Sequence, residues 1–207
     1  MKICETFLSL QGEGLTMGVP TFFIRTVGCN LNCSWCDTKY AFDGGKEIGI
    51  DELIDSVPWA PCVCVTGGEP MLQPDIYELL GLLISMGKTT VLETNGSVDL
   101  SELPDSPNLM ISMDIKCPSS GMEDRMMFSN ISLLGKKDQL KFVVGDIGDV
   151  DYAEKIIEKY GADTNIIFSP VGGMDLEPLA EEVLKRKLNV RVLPQLHKII
   201  WGDRRSV

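Results

Sequence analysis

The sequence has no run of eighteen apolar residues, so no segment of it reads as a bilayer-spanning helix. Marks of a signal peptide are missing too. Met1-Lys2-Ile3-Cys4-Glu5-Thr6 meets an acidic residue at once and lacks the apolar stretch and small-residue cleavage site of such a segment. A cytoplasmic location with no membrane partner is therefore expected. Basic side chains are scarce, 19 against 30 acidic ones, and a formal charge of -11 repels a phosphate backbone, which excludes nucleic acid as the principal ligand. Histidine is down to one residue, His197. No internal repeat or low-complexity tract interrupts the 207 residues, and a composition of 44% hydrophobic and 24% charged suits one compact domain over residues 1–207.

What the sequence does have is cysteine. Seven cysteines are an odd number, and without a signal peptide they argue for metal ligation or free thiols over a disulfide framework. Cys29, Cys33 and Cys36 cluster in one loop, whereas Cys4, Cys62, Cys64 and Cys117 have no motif partner and read as small buried or partly buried residues.

Short apolar runs stopped by glycine, proline or polar residues predict strands at Thr21 to Val27, Cys62 to Thr66, Thr89 to Thr94, Leu109 to Asp114, Leu140 to Val144, Asn165 to Phe168 and Val190 to Leu193. Helical spacing lies between them at Ile50 to Val57, Pro74 to Met86, Val150 to Tyr160 and Asp175 to Lys187. The stretch Pro118 to Asp138 is irregular, with room for a short helix. Strands alternating with helices imply parallel units joined by helical crossovers, hence an α/β protein. A closed eight-stranded barrel takes about 250 residues, so six to seven mostly parallel strands in this length predict an open, partial βα barrel. Gly28-Cys29, Thr66-Gly67-Gly68-Glu69-Pro70, Glu93-Thr94-Asn95-Gly96, Asp114-Ile115-Lys116 and Ser169-Pro170 all fall at strand ends, where ligands of parallel sheets bind.

The loop Gly28-Cys29-Asn30-Leu31-Asn32-Cys33-Ser34-Trp35-Cys36-Asp37-Thr38 offers three soft thiolates. A cubane iron-sulfur cluster takes four, so three cysteines leave one iron open to chelate an amine and a carboxylate, the groups at the methionyl end of S-adenosylmethionine. Two other readings stand beside it: a structural zinc held by the three cysteines and His197, and buried thiols with no metal. Gly67-Gly68-Glu69-Pro70 reads either as a place where backbone approaches a ligand or as a plain turn.

The cysteine loop, Gly67-Gly68-Glu69-Pro70, Thr94-Asn95-Gly96 and Asp114-Ile115-Lys116 together resemble the radical S-adenosylmethionine superfamily. Leu10-Gln11-Gly12-Glu13-Gly14 upstream of Arg25, Cys36-Asp37-Thr38, and Gln195-Leu196-His197-Lys198 narrow the resemblance to the 7-carboxy-7-deazaguanine synthase family, over essentially the whole chain. That resemblance implies a lyase in which Cys29, Cys33 and Cys36 hold a 4Fe-4S cluster. The reduced cluster cleaves S-adenosylmethionine, and the resulting radical takes a hydrogen from 6-carboxy-5,6,7,8-tetrahydropterin. Ring contraction with loss of ammonia then gives 7-carboxy-7-deazaguanine for queuosine or archaeosine.

By the same resemblance, Trp35, Cys36, Asp37, Gly68, Asp114, Ile115, Lys116 and the run Ser169, Pro170, Val171 and Gly172 contact S-adenosylmethionine. Thr38 binds Mg²⁺, and one protein oxygen suffices because magnesium keeps waters and borrows substrate oxygens. Leu10, Gln11, Gly12, Glu13, Arg25 and Thr66 contact substrate, with Glu13 on the donor edge of the pterin and Arg25 forked onto its carboxylate. Glu13, Arg25 and His197 form the catalytic set. The departures are Ser169 to Gly172, where relatives carry a glutamine-proline form, and Asp114-Ile115, where some carry Ser-Pro, so only Lys116 transfers cleanly from that segment. Read without the resemblance, Arg25 is an outward-facing surface residue, Asp114 and Lys116 a strand-end ion pair, Thr38 a loop hydroxyl capping backbone and Ser169 a turn residue. A homodimer and an electron donor such as flavodoxin or ferredoxin are implied as partners. Two rival functions share the loop: an activase that places a glycyl radical on a partner enzyme, and a non-enzymatic iron-sulfur or zinc module.

Overall fold

A computed structural model describes residues 1–207. Nine strands, β1 (Lys2–Leu10), β2 (Pro20–Thr26), β3 (Lys46–Glu47), β4 (Cys62–Gly67), β5 (Thr89–Thr94), β6 (Leu109–Ile115), β7 (Gln139–Val144), β8 (Asn165–Pro170) and β9 (Arg191–Val192), form one sheet in the order β3-β1-β2-β4-β5-β6-β7-β8-β9. From β2 through β9 every pairing is parallel. β1 runs antiparallel to β2, and β3 antiparallel to β1. The outermost strands, β3 and β9, do not pair with each other, so the barrel is open.

The parallel series contains the seven strands expected from the sequence; β1 and β3 are additions. β1 escapes a pattern reading because only Ile3 along it is buried and a register irregularity between Ile3 and Glu5 breaks its alternation. Its Glu5 faces Arg25, and its Phe7 stacks on Phe23 with centroids 4.8 Å apart. β3 and β9 are two residues each, and such short edges offer little template for pairing with another chain.

The helices are α1 (Ile50–Asp55), α2 (Ile76–Ser85), α3 (Ile147–Tyr160), α4 (Glu177–Arg186) and α5 (Leu196–Trp201). α2 buries Ile76, Leu79, Leu80 and Leu83, an i, i+3, i+4, i+7 stripe that lies on the sheet. α3 begins three residues earlier than its apolar pattern suggests, because Asp146 caps it by accepting a hydrogen bond from the Asp149 amide. Residues 118–133 form three 3₁₀ turns in place of one short helix. None of the helices is long and apolar enough to cross a membrane.

Alternation along the parallel strands separates two faces. Phe22, Ile24, Val63, Val65, Leu92, Ile111, Met113, Leu140, Phe142 and Phe168 point outward into the main apolar core beneath the helices. Phe23, Cys62, Cys64, Val91 and Met110 point inward and plug the floor of the barrel. Further along the same strands, toward their carboxyl ends, the inward positions turn polar. That change of chemistry along one face makes the site.

Candidate active site

Above the apolar floor lies a cavity of about 520 Å³. Arg25 (β2), Thr66 (β4), Glu93 (β5), Ser112 and Asp114 (β6), Lys141 (β7) and Ser169 (β8) line it, and those on β2, β4, β5 and β6 stand two or four residues beyond a floor residue of their own strand. Every residue assigned in the sequence to the cluster, S-adenosylmethionine, Mg²⁺ or substrate lines this cavity except Ile115. Ile115 lies between inward Asp114 and Lys116, so strand parity turns its side chain into the core, where it is 1% exposed. Arg25, which strand parity left open to an outward reading, faces inward.

The cysteine loop leaves β2 through Gly28 and is clasped by the turn after β4. A Cβ on Gly68 would sit 2.1 Å from the Gly28 carbonyl oxygen, and the Glu69 amide donates to that oxygen at 2.8 Å. Glycine at position 68 is thus required by a backbone approach to the cysteine loop itself. Glu69 is fully buried; it accepts from the Met71 amide, the Thr94 hydroxyl and the Asn95 amide, and so pins the end of β5 to the turn.

Burial pushes Glu69 up to about 7 against those three hydrogen bonds. A folded-state pKa above the ordinary carboxyl value means stability present below about pH 4.5 and lost as pH rises through about 7, a loss of about 3 kcal/mol. Urea titrations of cluster-free protein at pH 5 and pH 7.5 are expected to show wild type losing ground relative to Glu69→Gln over that interval. Parallel curves would mean that Glu69 is already ionised at pH 5.

Cys29, Cys33 and Cys36 are free thiols on one wall of the cavity. The Leu31 amide lies 3.5 Å and Asn95 Nδ2 3.7 Å from Cys29 Sγ, contacts of the kind that tune sulfur ligands. Burial raises the Cys33 and Cys36 thiols, and the Lys116 cation opposes it. Soft donors, N–H contacts to sulfur and an adjacent cation fit a 4Fe-4S cluster. A Cys₃His zinc site is not built. His197 turns its Nδ1 edge to Gly12, where a Cβ would meet that nitrogen at 2.2 Å, and no three histidine, cysteine, aspartate or glutamate side chains converge on one point.

Opposite the cysteines, charges alternate. Lys141 Nζ donates to Glu13 Oε2 at 2.5 Å and lies 3.3 Å from Asp114 Oδ1; Lys116 Nζ donates to Asp114 Oδ2 at 2.6 Å. The strand-end ion pair read for Asp114 and Lys116 is therefore present, and both residues also line the cavity. Burial opposes ionisation of Asp114, yet the two lysines hold its carboxyl below the usual range. Asp114 thus meets a lysine with each oxygen, Oδ2 accepting from Lys116 and Oδ1 facing Lys141. Gln195 Nε2 donates to the other Glu13 oxygen at 2.6 Å.

Gln11 is 3% exposed, and its amide is spent on the Gly12 and Glu13 backbone and on Glu93, which also accepts from the Thr66 hydroxyl. Arg25 Nε donates to Glu5 at 2.8 Å, and Tyr40 and Ser206 donate to the same carboxylate. Thr38 caps no backbone amide; its hydroxyl donates to Asp37 Oδ1 at 2.6 Å.

Glu93, from the strand-end segment read in the sequence, completes the wall together with residues not singled out there: Lys141, Tyr40 and the segment Gly202 to Val207. For Lys141 a signal existed, a lone charge between Leu140 and Phe142 in a buried strand. Nothing in the polar run 202–207 pointed to a cavity.

Comparison with known proteins agrees with this architecture. Residues 23–132, more than half of the chain, match the Radical SAM superfamily. The chain is 42% identical over 205 residues to a 7-carboxy-7-deazaguanine synthase of Thermoplasma acidophilum, covering 98% of each chain. It is 47% identical over 206 residues to one of Methanospirillum hungatei, covering 97% of this chain and 85% of that one. The crystal structure of QueE from Escherichia coli superposes with a TM-score of 0.77 at 27% identity, covering 95% of this chain and 94% of that one. With the cysteine loop, the Gly-Gly-Glu-Pro clasp and the charged wall facing one cavity, and relatives of this identity along nearly its full length, the chain belongs to the 7-carboxy-7-deazaguanine synthase family of radical S-adenosylmethionine enzymes.

Proposed function

We propose that this chain converts 6-carboxy-5,6,7,8-tetrahydropterin into 7-carboxy-7-deazaguanine with loss of ammonia, in the biosynthesis of 7-deazapurines. The observation that carries the reading is the meeting, in one cavity, of three free thiols with a wall of paired charges at Glu13, Arg25, Asp114, Lys116 and Lys141. A 4Fe-4S cluster on Cys29, Cys33 and Cys36, with S-adenosylmethionine on its open iron, supplies one-electron reductive cleavage and hydrogen abstraction.

The chain's own residues bind and orient. Gly68, Asp114, Lys116 and Ser169 to Gly172 take S-adenosylmethionine, with Asp114 held in place between Lys116 and Lys141. Arg25 uses only Nε on Glu5, which leaves the outer edge of its guanidinium for the substrate carboxylate. Glu13, fixed on both oxygens by Lys141 and Gln195, reads the donor edge of the ring. Thr38, tied to Asp37, is the Mg²⁺ ligand, and His197 on Gly12 handles protons at the substrate. Apolar floor residues such as Phe23 and Met110 exclude water from beneath the site. A cavity of about 520 Å³ suits a small molecule, which favours a pterin over the protein segment that a glycyl-radical activase must admit. A homodimer and a flavodoxin or ferredoxin donor complete the reading.

The test is an anaerobic assay of reconstituted protein with reductant, S-adenosylmethionine, Mg²⁺ and 6-carboxytetrahydropterin, following product by chromatography and mass. Cleavage of S-adenosylmethionine without product would leave the radical chemistry standing and remove the substrate assignment. In the same assay Arg25→Ala is expected to raise KM for the pterin by roughly 10- to 100-fold, the worth of a lost charge-assisted contact. The affinity for S-adenosylmethionine should not change.

A further inference from the structure

Trp35, inside the cysteine loop, is held by a chain of buried hydrogen bonds that no part of the reading above uses. Its Nε1 donates to the Ser119 hydroxyl at 3.1 Å, and that hydroxyl donates to Asp149 Oδ2 at 2.5 Å. Asp149 is 1% exposed, and it also accepts from the Ser119 amide at 3.0 Å and the Gly145 amide at 2.7 Å. An ionised carboxylate only accepts, so the Ser119 proton points at Asp149 and a lone pair is left toward the indole. The order of the relay is therefore fixed.

Helix capping accounts for only part of Asp149: at the third position of α3 it reaches back to the Gly145 amide while Asp146 caps the helix, and its bonds to the Ser119 amide and hydroxyl lie outside that role. Nor is Asp149 needed to dock the cysteine loop, since the Ser34 amide and hydroxyl donate to the Ser120 and Ser119 carbonyls. Gly145 is confined by the same relay: a Cβ there would come within 2.7 Å of Ser119 Oγ. On the cavity side Lys116 Nζ stands 5.7 Å from the Trp35 ring centroid. The indole is thus gripped at its nitrogen and faces the cavity with its ring.

We propose that Ser119 and Asp149 are positioning residues that fix the plane of Trp35 against bound S-adenosylmethionine, the flat purine being the part an indole face can hold. This rests on the reading that Trp35 contacts that cofactor. The test uses the full chain with its cluster reconstituted anaerobically, measuring the S-adenosylmethionine Kd by calorimetry for wild type, Ser119→Ala, Trp35→Phe and the double variant. Trp35→Phe keeps an aromatic ring but removes the Nε1 donor together with the pyrrole half of the indole, so the relay is judged by whether Ser119→Ala still weakens binding when Phe already stands at 35.

Each single change is expected to weaken binding by about 3- to 10-fold, the worth of one net hydrogen bond. The double variant should be no weaker than the worse single one, because both cut the same link. Effects that multiply, or a Ser119→Ala protein that binds as wild type does, would overturn the relay while leaving Trp35 as a contact. Equal binding by wild type and Trp35→Ala would overturn the underlying reading together with it. Independently of the cluster, tryptophan emission of Ser119→Ala in a Trp59→Phe, Trp201→Phe background should show lower anisotropy than its parent; unchanged anisotropy would mean that the bond does not hold the ring.

Discussion

Cys33→Ala, reconstituted anaerobically with iron and sulfide, is expected to remain nearly colourless and to form product no faster than a no-enzyme control. Wild type should carry roughly four irons per chain, and a two-thiolate remnant cannot hold a cubane through turnover. The comparison that gives this result meaning is Cys64→Ala. Cys64 is fully buried in the barrel floor with Phe23, Val91 and Met110, and burial holds its thiol well above the ordinary range, so it stays protonated and is no ligand. That variant is expected to lose some stability through a small cavity and to keep its iron, its colour and its turnover. Iron analysis, the visible spectrum and the product assay on both proteins make the check. A Cys33→Ala protein with wild-type iron would move the cluster to a different set of thiols.

The fold was legible because parallel strands buried on both faces announce themselves as apolar runs, and all seven parallel strands did so. β1 did not. It is half-buried along most of its length, and its inward side chains, Glu5 and Phe7, serve Arg25 and Phe23 across the sheet, a pairing that only register reveals. At the site, motifs identified the residues whose type is dictated by chemistry or by close backbone approach: thiolates for iron, glycine at 68 for the Gly28 carbonyl, glycine at 14 where Gln139 Nε2 leaves 2.3 Å for a Cβ. Residues that act by charge balance carried no such mark. Glu93, Lys141 and Tyr40 have their roles from partners distant in sequence, and the same holds for Ser119 and Asp149. Ile115 shows the converse limit of a motif: it stands between Asp114 and Lys116 in sequence, but strand parity sends its side chain into the core and leaves only its backbone on the site's side.

Lys141→Met should be the most damaging change that leaves every cluster ligand in place. The ammonium is nearly buried, with 10% of its side chain exposed, and it stands between Glu13 from the loop after β1 and Asp114 from β6. Burial works against its charge, but Asp114, Glu13 and Glu93 outweigh burial and hold its pKa well above the ordinary lysine value. A group whose folded pKa is raised contributes its stability fully below the unfolded value and loses it only as pH rises through the folded one, so wild type keeps this contribution throughout the neutral range.

Methionine preserves most of the volume and removes the cation, which leaves Glu13 with Gln195 alone and Asp114 with Lys116 alone. Breaking one side of a buried pair costs about 3 to 5 kcal/mol, and in a chain of this size that lowers Tm by roughly 10 °C. Asp114, held low in wild type by two lysines, keeps only one of them, so its folded pKa rises and stability falls as pH climbs through it. The deficit relative to wild type is therefore expected to be larger at pH 8 than at pH 5.5 in thermal melts of cluster-free protein. Adding Glu13→Gln should recover part of the stability, because one uncompensated charge disappears. On the proposed reading of Glu13 as the residue that faces the donor edge of the pterin, the double variant should recover no activity, because misplacement of such a group costs on the order of 100-fold in kcat/KM. Melting curves that match wild type at both pH values would mean that Lys141 does not balance the two carboxylates, and that the cavity holds its charges apart by some other arrangement.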